Sequence, residues 1–339
     1  MRQLTYTGPG TLEWHDVPDP VLTSDRAALV RPLAVATCDL DDLIIAGYSP
    51  FPAPLAIGHE CVAEVVEVGD DCGGLRPGQR VSVPFQISCG DCDACRRGRS
   101  ASCRSVVPLT TYGFGPDTSW GGFLSDTVLV PWAAHMLVPV PDALRSADVA
   151  SASDNLSDGW RTVAPLLRDE PGAPVLVVGG AGPGSIGLYA VAVAVALGSE
   201  QVVYADSDER RCALAKSLGA EAVLAPWPKR LGPFPITVDA NGTQAGLDLA
   251  LKALAPDGVC TSATTYFGEQ PRVPMLVMYS RIATLHSGRV HAREAMPEVL
   301  DLAATGTLEP QRVTTRVVAW DDAPDALTER DWIKLVIER

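Results

Sequence analysis

Basic charge is in short supply. The chain has 27 Lys and Arg against 41 Asp and Glu, which leaves a formal charge of −14 and a pI near 4.7. That argues against a nucleic-acid partner, because phosphate contacts need clustered Lys and Arg. The opening residues, Met1-Arg2-Gln3-Leu4-Thr5-Tyr6, hold no apolar core of the kind a secretion signal carries, so a cytoplasmic protein is expected. No membrane partner is expected either. One stretch, Pro171 to Ser199, is uncharged and long enough to cross a bilayer, but Pro174, Pro183 and the glycines from Gly179 to Gly187 would break a spanning helix. It reads instead as a buried strand, a turn and a buried helix. Internal repeats and low-complexity segments are absent. So is a disulfide pattern: the nine cysteines are odd in number, and four of them crowd into Cys89 to Cys103. That distribution suits thiolate metal binding in a reducing compartment. With 47% hydrophobic residues, the 339-residue chain can bury a large core and form two domains.

The first part of the chain reads as β-rich. Val62 to Val68, Gln79 to Phe85, Leu124 to Val130 and His135 to Val140 are short apolar runs bounded by turn residues, and only Cys38 to Ile45 looks helical. From about Ala147 apolar strands alternate with Ala- and Leu-rich helices. Val175 to Val178, Gln201 to Ala205, Ile236 to Asp239 and Val259 to Ala263 are the strands. Ile186 to Leu197, Glu209 to Leu218 and Gln244 to Ala255 are the helices between them. This alternation implies a doubly wound parallel sheet. The last segment reads as a helix at Ala295 to Ala304, extended chain at Arg312 to Val318, and a closing strand at Lys334 to Ile337.

Three motifs carry chemistry. Cys38 and the His59 of Gly58-His59-Glu60 offer a thiolate and an imidazole, a donor pair that suits zinc. Cys89, Cys92, Cys95 and Cys103 close a four-thiolate shell with no open position, which suits a structural zinc. Four cysteines also fit an iron–sulfur cluster, but nothing else in the chain points to electron transfer. Arg96, Arg97, Arg99 and Arg104 could offset the thiolate charge. The strand at Val175 leads into a G-x-G-x-x-G turn, Gly182, Gly184 and Gly187 with Ser185 and Ile186 between. There the backbone can approach a pyrophosphate at a helix start. Gly179 to Gly184 offers a second register. Asp206 ends the next strand, where an acid accepts from the adenosine ribose and repels a 2′-phosphate. NAD is therefore favoured over NADP, with Arg210 and Arg211 as the opposing feature.

Together these motifs resemble the zinc-dependent medium-chain alcohol dehydrogenases, in that family's order and spacing, from Cys38 to the final strand. The resemblance implies an α/β chain with a GroES-like β-rich catalytic domain over 1–150 that carries the zinc loop 89–103. A Rossmann domain follows over 151–287, and residues 288–339 return to the catalytic domain. It implies Cys38 and His59 as catalytic zinc ligands, with Asp154 as the third, as in the formaldehyde-dehydrogenase-like branch. Glu60 matches an acid that can approach the metal, and Asp41 matches the carboxylate that orients the histidine. Departures from the pattern are Ala63 for Gly and a longer glycine turn. Leu40 and Leu43 also stand where proton-relay residues are usual. An alternative relay through Asp158, Asp41, Tyr48 or water is then expected. Leu40, Tyr48, Phe85, Trp120 and Phe123 are candidate substrate-pocket residues. Arg289, in the cluster with His286, His291 and Arg293, could reach the pyrophosphate or belong to a basic surface.

The expected activity is hydride transfer between an alcohol or polyol, or a carbonyl compound in reverse, and NAD, with one catalytic and one structural zinc. An aldehyde dismutase, an NADP-dependent carbonyl reductase and a non-enzymatic binding protein are the alternatives. By analogy a homodimer or homotetramer is expected.

Overall fold

The computed structural model describes residues 1–180, 182–228, 231–268 and 270–339. It divides into two compact units. One comprises Met1–Ser157, Val290–Gly306 and Thr314–Arg339, and the other Asp158–Arg289 and Thr307–Val313.

The first unit begins with strands β1 (Arg2–Gly8), β2 (Thr11–Asp16) and β3 (Ala28–Ala36), then helix α1 (Asp39–Ile45). Strands β4 (Leu55–Ala56), β5 (Glu60–Val68) and β6 (Arg80–Val83) follow, then the short helix α2 (Asp93–Arg96). Strand β7 (Val128–Val130), helix α3 (Ala133–Met136) and strand β8 (Val138–Pro139) complete this part. The predicted strand at His135 to Val140 is therefore shorter. Ala133-Ala134-His135-Met136 are tolerant of helix and take one turn of it before the chain extends.

The second unit starts with helix α4 (Asn155–Asp169), whose first three residues belong to the first. It continues with β9 (Val175–Val178), α5 (Ser185–Ala196), β10 (Val202–Asp206), α6 (Glu209–Ser217) and β11 (Glu221–Leu224). Then come β12 (Phe234–Asp239), α7 (Gln244–Lys252), β13 (Leu254–Ser262), α8 (Met275–Arg281) and β14 (Thr284–Ser287). All six strands run parallel in the order β11-β10-β9-β12-β13-β14. Leu176, Val178, Ala205, Leu251 and Cys260 form part of its core. β9 is buried on both faces, as its unbroken Val-Leu-Val-Val run requires.

Helix α9 (Ala292–Ala304), strand β15 (Arg316–Ala319), helix α10 (Ala323–Glu329) and strand β16 (Leu335–Glu338) return to the first unit. Its main sheet has the order β15-β16-β3-β5-β6-β8, with β7 on β3, beside a smaller sheet β2-β1-β4. Ala63 is fully buried in this unit's core, which accommodates its methyl. No helix among the described residues is long and apolar enough to cross a membrane.

Candidate active site

Cys38 ends the loop after β3 and precedes α1, His59 immediately precedes β5, and Asp154 follows a 3-10 turn at Ala150–Ser153. Their ligand atoms lie within 4.8 Å of one another, and all three residues are buried. Gly58 makes the turn into His59: its φ is +92°, and a Cβ there would meet Leu124 N at 2.8 Å. His59 Nε2 lies 3.4 Å from Asp154 Oδ2, and Nδ1 lies 3.4 Å from Asp41 Oδ1. Asp41 is fixed by its other oxygen, which accepts from Cys38 N at 2.7 Å.

The trio fits a cation. Both His59 nitrogens and Asp41 Oδ1 are buried without a hydrogen-bond partner among the described residues. Each such group costs about 1–3 kcal/mol. Burial and the Asp154 charge push the Cys38 thiol well above its ordinary range. Burial alone would lower the His59 pKa, but Asp41 and Cys38 outweigh it and shift it above its ordinary value. A positive charge between these three side chains relieves all of this at once. A cation on Nε2 also leaves Nδ1–H to face Asp41, so the carboxylate sets the tautomer.

Glu60 is turned elsewhere. Its Oε2 accepts from Lys334 Nζ at 2.6 Å, and both side chains are fully buried. Lys334 also donates to the Thr37 carbonyl. Burial pushes the Glu60 carboxyl up to about 8, against the lowering pull of Lys334. Lys334 escaped the sequence reading, although a lone charge in Ile333-Lys334-Leu335-Val336 was a visible signal.

Phe114 meets His59 edge-on at 4.8 Å, and Phe85 lies 6.1 Å away. Phe51 packs on Phe114 at 5.5 Å. Of the proposed pocket residues, only Phe85 belongs to this aromatic group. Leu40 is half-buried against the unit's core, and Trp120 donates to Asp117 at 3.0 Å. Phe123 is fully buried on Tyr112, and Tyr48 is exposed.

The sulfurs of Cys89, Cys92, Cys95 and Cys103 form a second cluster within 4.8 Å. The expected arginine compensation takes another form. Arg96, Arg97 and Arg99 are exposed, and Arg104 pairs with Asp93 at 3.2 Å. Donors to the sulfurs come instead from the Cys92, Ser105 and Arg104 backbone and from the Ser105 hydroxyl, which reaches Cys89 Sγ at 3.1 Å. They hold the Cys89 thiol below its usual range and bring Cys92 down to about 6. The late basic cluster divides. His291 accepts from Ala101 N and Arg293 donates to the His135 carbonyl, whereas Arg289 is exposed at the end of the second unit.

In the second unit, Gly182 and Gly184 have φ of +73° and +74°, and Gly184 precedes α5, which begins at Ser185-Ile186-Gly187. Ala181, between the two glycine registers, lies outside the described residues. Asp206 is fully buried and its acceptors are taken. Oδ1 accepts from Ser207 N, Asp208 N and Arg211 Nη2, and Oδ2 from Tyr204 Oη and Arg211 Nε, at 2.6–3.0 Å. Arg211 Nη1 also donates to the Gly182 carbonyl at 2.6 Å, tying the acid to the glycine turn. Asp158 pairs with Arg161. Asp239, which the sequence reading missed, is buried at the end of β12 and accepts from Ser262 and Tyr266 hydroxyls at 2.8 Å.

Comparison with known proteins agrees with this layout. Residues 24–142 match the alcohol dehydrogenase GroES-like domain family, and residues 185–305 match the zinc-binding dehydrogenase family. The chain is 27% identical over 330 residues to a "Probable zinc-binding alcohol dehydrogenase" of Mycobacterium tuberculosis, covering 95% of this chain and 83% of that one. It is 32% identical over 233 residues to a glutathione-independent formaldehyde dehydrogenase of Pseudomonas aeruginosa. That match takes in 65% of this chain and spans only 57% of the relative. The solved structure of an alcohol dehydrogenase from Thermus sp. ATN1 superposes with a TM-score of 0.90 at 27% identity, covering 100% of this chain and 99% of that one.

Proposed function

The chain belongs to the zinc-dependent medium-chain alcohol dehydrogenases, and from that premise we propose that it transfers a hydride between an alcohol or polyol and NAD, or from NADH to the matching aldehyde or ketone. The observation that carries this reading is the buried Cys38–His59–Asp154 trio, with both imidazole nitrogens facing carboxylates at 3.4 Å yet without a hydrogen bond among the described residues. A zinc ion held there supplies Lewis acidity toward a substrate oxygen, and a nicotinamide supplies the hydride acceptor. A second zinc in the four-cysteine loop has a structural role. Asp41 holds His59 in one tautomer. Phe85 and Phe114 keep the surroundings of His59 apolar. Leu40 and Leu43 cannot carry a proton, so proton release runs through water or a carboxylate.

NAD is the preferred nucleotide. With its acceptors occupied, Asp206 acts through charge: with Asp208 and Glu209 it outnumbers Arg210 and Arg211 at the start of α6, which disfavours a 2′-phosphate. The test is a panel of alcohols, polyols and carbonyl compounds assayed with each nucleotide. Turnover with NAD should exceed that with NADP by about tenfold or more, the equivalent of ~1.4 kcal/mol. NADP preference would overturn the cofactor assignment, and turnover without added nucleotide would point to a dismutase. No redox change across the panel would leave a binding protein.

A homodimer or homotetramer is the proposed assembly. β14 is an open edge of the six-stranded sheet, and beside it Met275, Leu276, Tyr279 and Ile282 are 68–84% exposed. A second copy related by a two-fold axis presents the same edge and the same apolar face, so the surface is self-complementary. Sedimentation should show an oligomer that Tyr279→Glu weakens; a monomeric parent protein would refute the assembly.

A further inference from the structure

We infer that Arg161, anchored by Asp158, grips the carboxamide of the nicotinamide; the inference rests on the dinucleotide reading above. The glycine turn follows β9, and Asp206 ends β10 on one side of it. A dinucleotide whose pyrophosphate meets the turn and whose adenosine lies toward β10 must send its other half the opposite way, over the carboxyl ends of β12 and β13. With strands about 4.8 Å apart, β13 and β14 lie roughly 10–14 Å from β9, within reach of one more ribose and its ring.

Arg161 occupies that row of strand ends. Its Nη2 donates to the carbonyl of Ser262, the last residue of β13, at 3.3 Å, and to that of Gly288, just past β14, at 2.6 Å. Its Nε donates to Asp158 Oδ1. Three contacts therefore fix the guanidinium, while Nη1 has no partner among the described residues. The side chain is 18% exposed, so it is accessible without being loose. A primary carboxamide is complementary to this arrangement: its oxygen accepts from Nη1, and its NH2 group donates to the neighbouring carbonyls. Asp158 has a second role. A guanidinium beside an oxidised, cationic pyridinium repels it, and the adjacent carboxylate offsets that repulsion.

Binding of NADH, NAD and ADP-ribose to the intact protein tests this, because ADP-ribose lacks the nicotinamide. Arg161→Ala and Arg161→Gln should each weaken NADH by about tenfold to a hundredfold. Their affinity for ADP-ribose should stay within about twofold of the parent protein, inside the scatter of distant effects. Asp158→Asn should weaken NAD more than NADH. Equal loss of NADH and ADP-ribose in both Arg161 variants would make Arg161 a strut of the fold and overturn the inference, as would no loss of either. If the parent protein binds ADP-ribose but the variants lose nothing, the inference alone falls. If the parent protein binds neither ligand, the dinucleotide reading falls with it.

Discussion

Asp154→Ala is expected to leave the protein with one zinc ion where two are proposed for the parent chain, and to lower turnover by about a thousandfold or more, the equivalent of ~4 kcal/mol in barrier. Losing a partner outside the metal shell typically costs about 10–100-fold, and loss of a ligand should exceed that. Asp154 is also the anion that faces His59 Nε2, so alanine removes both a donor atom and a charge from a buried site. The four-cysteine loop shares no residue with this trio and should keep its ion. Native mass spectrometry can count the zinc directly, and a melting curve can confirm that the variant is folded. Asp154→Cys, which restores an anionic donor, should recover the second ion. Two ions and undiminished turnover in Asp154→Ala would remove the residue from the site.

The second large effect is on stability. Lys334→Met leaves Glu60 buried without its ammonium partner, and breaking such a pair costs about 3–5 kcal/mol. For a chain of this size that should lower the melting temperature by roughly 4–7 °C. The double variant Lys334→Met with Glu60→Gln should recover part of the loss, because no buried charge then remains. A single variant as stable as the parent would show that the pair contributes little.

The two clusters that could hold a metal were anticipated in the sequence because few side chains bind zinc and because Cys-x-x-Cys-x-x-Cys and Gly-His-Glu are tied to tight local turns. The parallel sheet was legible from the spacing of its apolar runs. Helix α4, in Asn155-Leu156-Ser157-Asp158-Gly159-Trp160, was missed because Gly159 and Pro165 interrupt its pattern. Phe51 and Phe114 sit in loops, where no periodicity marks which side chain faces inward. The saturation of Asp206 depends on Tyr204, two residues earlier on the same face of β10, and on Arg211 from the following helix. Such contacts join residue types that each read as ordinary alone. Arg161 was overlooked for the same reason, since its carbonyl partners at Ser262 and Gly288 are unrelated to it in sequence.

Strand β16 lies inside its sheet, between β15 and β3, and pairs with residues near position 36. The lobe that holds both clusters of candidate metal ligands therefore cannot finish pairing until Leu335–Glu338 has been translated. The six-stranded parallel sheet, made from contiguous sequence, emerges from the ribosome whole and earlier. During synthesis, then, Cys38, His59 and the four-cysteine loop are made long before the strand that completes their lobe.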